Sequence, residues 1–97
     1  MKITILSSAL EDLYAGRAFY EKQAEGVGEY FFDTLFADID SLALYAGIHP
    51  KRFGYHRLLA KRFPYAIYYK MDNPKTVVIQ RVLDLRQHPQ KTRASLA

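Results

Sequence analysis

The residues best suited to chemistry in this 97-residue chain are cations set among aromatics in its second half. Lys61-Arg62 stand directly before Phe63-Pro64-Tyr65, Arg81 interrupts a run of branched apolar residues, and Arg86 follows that run. Guanidinium groups gathered at one sheet edge, with His56 or Tyr68 beside them, hold what is needed to position a phosphodiester and stabilise its extra negative charge. The same groups can instead receive the carboxylates of an acidic partner, and the sequence does not separate the two uses. Tyr68 is also a candidate for stacking on a base, because alternation gives Tyr65, Ile67 and Tyr69 to one face and leaves Tyr68 and Lys70 looking out.

Other chemistries lack their residues. His49, His56 and His88 are widely separated and none has the i, i+4 spacing that puts two ligands on one helix face, so no metal site is expected. With no cysteine there is neither a disulfide nor a thiolate site. Gly26-Val27-Gly28 lacks the third glycine of a dinucleotide loop and follows a helical pattern, so it is a turn and no cofactor is expected. The serines show no Ser-His-Asp order, and Asp33, Asp38 and Asp40 are expected on the wet face of a helix.

The elements that must carry these groups follow from periodicity. Ile3 and Ile5 alternate in a first strand. Ser8-Ala9-Leu10-Glu11 has the form of a capping box opening a helix to about Gln23, with Leu10, Leu13, Tyr14 and Ala18 as its core stripe. A second helix carries Phe32, Leu35, Phe36, Ile39, Leu42 and Ala43 on one stripe and ends near Gly47 and His49-Pro50. The period then changes to two. Strands are expected over His56 to Ala60, Tyr65 to Met71 and Thr76 to Leu85, with Asp72-Asn73-Pro74-Lys75 turning the last two into a hairpin. The tail from Gln87 is expected to fray. The fold class is therefore α+β, ordered β-α-α-β-β-β, a helical hairpin packed on a small, mostly antiparallel sheet in one domain, 1–97.

Charge divides along the same line. Residues 1–50 hold three Lys/Arg against eight Asp/Glu, a net of −5, whereas 51–97 hold eleven against Asp72 and Asp84, a net of +9. A field this asymmetric attracts nucleic acid or an acidic protein segment. No stretch is long and apolar enough to cross a membrane and the N-terminus has no signal-peptide h-region, so a cytoplasmic protein is expected.

Three blocks in order carry a resemblance: Ala18-Phe19-Tyr20-Glu21-Lys22-Gln23 with Gly26-x-Gly28; Arg57-Leu58-Leu59 leading into Lys61-Arg62-Phe63-Pro64-Tyr65-Ala66-Ile67-Tyr68-Tyr69; and Val77-Val78-Ile79-x-Arg81-Val82-Leu83-Asp84-Leu85-Arg86-x-His88-Pro89. Together they resemble the toxins of the RelE/ParE superfamily, from bacterial type II toxin-antitoxin pairs, and are closer to the ParE-like plasmid-stabilisation proteins. The resemblance implies a growth-arresting toxin neutralised by a cognate antitoxin whose acidic, disordered segment folds on binding. It also implies a target, either DNA gyrase, inhibited by binding, or the ribosome, where the RelE-like branch cuts mRNA. That branch has lysines on the strand matching His56 to Ala60 and an arginine after the aromatic matching Tyr65; here stand His56, Arg57, Leu58 and Ala66. Alanine cannot stabilise a pentavalent phosphorane, so gyrase inhibition is the first expectation. A ribonuclease using His56, Arg62, Arg81 and Arg86 is the second, and a non-toxic interaction module the third. Lys61, Arg62, Tyr68, Arg81 and Arg86 are the expected binding surface in any of these, and a homodimer through the sheet edge is left open.

Overall fold

The computed structural model describes residues Met1–Ala97. The order is β1 (Lys2–Ile5), α1 (Ser7–Gln23), α2 (Val27–Asp40), the single turn α3 (Leu42–Tyr45), β2 (Lys51–Arg52), β3 (Tyr55–Leu59), β4 (Tyr65–Asn73), β5 (Thr76–Asp84) and α4 (Pro89–Leu96). One five-stranded sheet runs β1-β5-β4-β3-β2, antiparallel throughout except that β1 lies parallel to β5, with Lys2 opposite Thr76. The α+β class and the helical hairpin on a mostly antiparallel sheet are as the periodicity predicts. No helix is long and apolar enough to cross a membrane.

The long β4–β5 hairpin forms where the sequence places it: nine residues in each strand, rich in branched and aromatic side chains, joined by a turn in which Asn73 Oδ1 accepts the Lys75 amide at 2.8 Å. Tyr65, Ile67 and Tyr69 face α1 and α2 with Val77, Ile79 and Val82. The spacing of Ile79 and Val82 breaks strict alternation because the register shifts between Tyr68 and Tyr69, leaving Gln80 as an extra residue on β5. Both side chains therefore reach the same core.

Helices α1 and α2 approach each other closely at two glycines. A Cβ on Gly16 would stand 2.5 Å from Phe31 Cζ, and one on Gly28 would stand 2.6 Å from the Arg17 carbonyl. The Glu21 carboxylate spans the turn, accepting the amides of Gly26 at 3.1 Å and Gly28 at 2.9 Å, and so supplies a negative group at the start of α2.

Several expectations are corrected. The capping box does not form: α1 begins at Ser7 after Leu6, with no side-chain cap, and Ser8 Oγ donates instead to the Gln80 carbonyl at 3.0 Å. β1 pairs only with the first part of β5, so beyond Ile79 it is α1 that meets the exposed strand edge. On α1 the buried positions are Ala9, Leu13 and Gly16, while Tyr14 is exposed and stacks on Phe32. The second helix stops at Asp40, where Ser41 Oγ bonds the Asp38 carbonyl at 2.6 Å, and restarts as α3. Asp38 is not on a wet face; it is 6% exposed and accepts the Lys61 amide at 3.1 Å, fixing the β3–β4 turn to α2. Strand β2 has no counterpart in the sequence reading. The tail from Gln87 does not fray but forms α4, with His88 Nδ1 accepting the Gln90 amide and Pro89 at the first helical position.

Candidate functional interface

The expected basic residues fall into three places. Lys61 and Arg62 are exposed in the β3–β4 turn. Arg81 and Arg86 line one cleft of about 400 Å³ between α1, the end of β5 and α4. His56 lies on β3 opposite Tyr69, outside that cleft. The first two groups share an end of the sheet, since Tyr65 pairs with Asp84 and the Leu85 amide bonds the Pro64 carbonyl at 2.8 Å.

Arg81 is committed inside the fold. Its Nε and NH2 donate to the two carboxylate oxygens of Asp12 at 2.7 and 2.8 Å, and its NH1 donates to the Ser95 carbonyl at 3.0 Å. Asp12 also accepts the Val82 amide at 3.0 Å. One turn before it, Ser8 takes the Gln80 carbonyl, so an i, i+4 pair on α1 satisfies the edge of β5 that no strand covers. The carboxylate raises the Arg81 guanidinium still further above its ordinary range, and the pair ties α1, β5 and α4 together.

Arg86 is held less tightly. It bonds Asp84 through Nε at 2.9 Å and NH2 at 2.6 Å, and its guanidinium lies 5.9 Å from the Phe19 ring centroid. These hydrogen bonds keep the Asp84 carboxyl below its usual range. The side chain is 55% exposed, leaving its outer N–H groups free toward solvent. Beside it, burial pushes the Tyr65 phenol up to about 12, with Asp84 adding to the effect.

Tyr68 is corrected. Alternation does turn it away from α1 and α2, but α4 covers it: it is 2% exposed and packs with Ala66, Leu83 and Leu96. A ring enclosed in this way has no open face for a base. Gln87 Nε2 bonds Thr92 Oγ1 at 3.0 Å and Tyr55 Oη donates to the Leu96 carbonyl at 3.2 Å, holding α4 in place.

His56 is stacked on Tyr69, ring centroids 5.1 Å apart, and its Nδ1 bonds the His49 carbonyl at 2.7 Å. Tyr69 Oη in turn accepts the Gly47 amide at 2.9 Å and bonds His49 Nδ1. Burial lowers the His49 pKa, and His56 nearby lowers it further. This cluster fastens the loop before β2 to the sheet. No group of three or more His, Cys, Asp or Glu converges as a metal site.

One feature of the interface is backbone rather than side chain. Strand β2 pairs only with Tyr55 and His56 of β3, the Arg57 amide bonds the Pro50 carbonyl, and no strand lies beyond Leu58 and Leu59. Leu59 is 50% exposed. The sheet thus ends in an open strand edge flanked by Arg57, Lys61 and Arg62.

Comparison with known proteins adds a family and a fold. Residues 3–89 match the family model described as ParE toxin of type II toxin-antitoxin system, parDE. The fold is similar to a solved chain titled "Chromosomal ParDE TA system from P. aeruginosa", with a TM-score of 0.79 at 18% identity, covering 89% of this chain and 97% of that one. A search of curated protein sequences finds no match.

Proposed function

The chain belongs to the ParE toxin family of type II toxin-antitoxin systems, and from that premise we propose that it arrests bacterial growth in the cytoplasm by binding and inhibiting DNA gyrase, and that a cognate antitoxin neutralises it. The observation that carries the choice of target is the commitment of the groups a nuclease would need. Arg81 gives three of its N–H groups to Asp12 and the Ser95 carbonyl, Tyr68 is enclosed under α4, and His56 is stacked on Tyr69 and bound to the His49 carbonyl outside the arginine cleft. A phosphoryl-transfer site needs free cations converging on one phosphorus with an acid or base within reach. Here Arg86 is already paired with Asp84, and the unpaired Lys61 and Arg62 lie in the β3–β4 turn outside the arginine cleft, an arrangement suited to binding. The open edge of β3, with basic residues on both sides, suits an acidic segment that adds to the sheet as it folds.

The test is purified gyrase with purified toxin. Supercoiling should stop, or cleaved DNA complexes accumulate, as toxin is added. Unchanged supercoiling at large excess, together with mRNA cut in a translating extract, would overturn the proposal in favour of the ribonuclease.

A further inference from the structure

The face of the sheet that α4 covers carries charge that the ion pairs of the fold do not use. Strands β2 and β3 are joined by Phe53-Gly54, with φ of 57° and 84°. A two-residue hairpin turn with positive φ at both positions is ordinarily Asn-Gly, because bulky side chains rarely adopt the left-handed conformation. Phenylalanine stands there instead, and its ring has two uses. It packs against the cluster of Ala66, Tyr68, Leu83 and Leu96. It also seats two guanidiniums, that of Arg52 from β2 at 5.0 Å from the ring centroid and that of Arg93 from α4 at 5.2 Å. Beside this ring lies a depression of about 60 Å³, into which Arg57 of β3 and Arg52 both face. Its one carboxylate, Asp84, is already bound to Arg86. Arg52, Arg57 and Arg93 take part in none of the three ion pairs of the molecule, which join Arg17 to Glu29, Arg81 to Asp12 and Arg86 to Asp84. Arg57 is half-buried, and a guanidinium partly withdrawn from water without a carboxylate favours an anion brought from outside.

We propose that Arg52, Arg57 and Arg93 form a binding site for the phosphodiester backbone of double-stranded DNA, held without reading its bases. The inference goes beyond the choice of gyrase as target and stands without it. The occupant follows from what the surface offers. The depression is far smaller than the roughly 300–1,000 Å³ of small-molecule sites, so the cations serve a surface contact and not an enclosed ligand. Single-stranded nucleic acid is held by stacking its bases on open aromatic rings. Here Tyr68 is 2% exposed and the Phe53 ring is taken by two arginines. Of the apolar lining only Leu85 is left to anchor a peptide, which is little for a protein partner. What remains is three guanidinium forks from β2, β3 and α4, two of them fixed by one ring. Such planar donors match phosphate oxygens along a duplex, which are the same for every sequence.

The experiment is anisotropy titration of the full-length protein against labelled duplexes of about 20 base pairs in two unrelated sequences, over a range of salt. Both duplexes should bind alike, and affinity should fall about fortyfold between about 0.05 and 0.2 M salt, the slope expected for three phosphate contacts. Arg57→Gln and Arg93→Gln should each weaken both duplexes and lower that slope by about 0.9. Arg93 is exposed on α4, so its variant keeps the test valid if Arg57→Gln disturbs the sheet. Lys22→Gln removes one charge from α1, on the other face of the sheet, and should leave the slope unchanged. Equal weakening by Lys22→Gln would overturn the site in favour of net charge alone. Tighter binding of a single strand of the same length, or binding of a glutamate-rich peptide through these arginines with no binding of duplex, would overturn the assignment to DNA. The titration contains no gyrase, so its failure leaves the supercoiling assay standing, and failure of that assay leaves this site standing.

Discussion

The Asp12–Arg81 pair shows how one residue can hold three elements. Its side chains are only 14% and 25% exposed, so removing either partner leaves a largely desolvated charge behind. Asp12→Ala also strips the Val82 amide of its acceptor and is expected to destabilise the fold by about 3 kcal/mol, with Arg81→Ala costing about 2. Urea unfolding of both single variants and the double variant checks this: the double should be less destabilised than the sum of the two. A loss of toxicity in Arg81→Ala then reflects folding, not a lost contact with the target. His49 gives a second residue-level prediction. Its pKa is lowered in the folded protein, so the neutral form is favoured there and the unfolded chain binds its proton more readily. The stabilising contribution is complete above the ordinary value of 6.5 and is lost as the pH falls below it through the folded-state value. Melting temperature should decline across that interval in wild type, and the decline should be shallower in His49→Gln. An equal slope in both would place the effect elsewhere.

At the scale of elements, α4 is the piece with the most to test. It rests on the second face of the sheet through Leu96, Thr92 and a few hydrogen bonds, while the opposite face holds the main core. Leu96→Ala should lower stability by about 2–3 kcal/mol, at the low end for a buried leucine because the site is near the chain end. Hydrogen exchange should show α4 amides opening well before those of β4 and β5, and uniform protection across all three would refute that ranking. The sequence makes the strands and the hairpin turn legible because alternation is strong from Tyr65 to Met71 and Asn73-Pro74 is unmistakable turn chemistry. It hides α4, whose residues Pro-Gln-Lys-Thr-Arg-Ala-Ser-Leu offer only Leu96 as a large apolar side chain. The signal that was present is Pro89 after His88, which marks a helix start. The Ser8–Glu11 box does not cap the helix because its serine has a long-range partner, and no local pattern reports the Gln80 carbonyl. Tyr68 reads as solvent-facing for the same reason that α4 is hidden: its orientation is local information, and its cover is not.

For the molecule as a whole, the charge division of the sequence becomes a division in space. The segment with net −5 supplies the helix layer and one edge strand, and the segment with net +9 supplies the other four strands and α4. Association with an acidic partner should therefore be fast and strongly dependent on salt. Raising ionic strength from about 0.05 to 0.5 M should slow association by roughly tenfold or more while changing dissociation far less. Stopped-flow measurement of both rates decides it, and a salt-independent association rate would mean that apolar contacts alone guide the encounter.

The parallel pairing of β1 with β5 also has a consequence for biosynthesis. The first strand to leave the ribosome has as its only neighbour the last strand to be made, and the edge of β5 that β1 leaves bare is sealed by Ser8 and Asp12 of the first helix. The pairing of β1 and the bonds of the Ser8 and Asp12 side chains cannot form until Thr76 to Val82 have emerged from the exit tunnel, so the nascent chain cannot complete this sheet while it is still growing. The fold itself delays completion of the sheet to the end of translation.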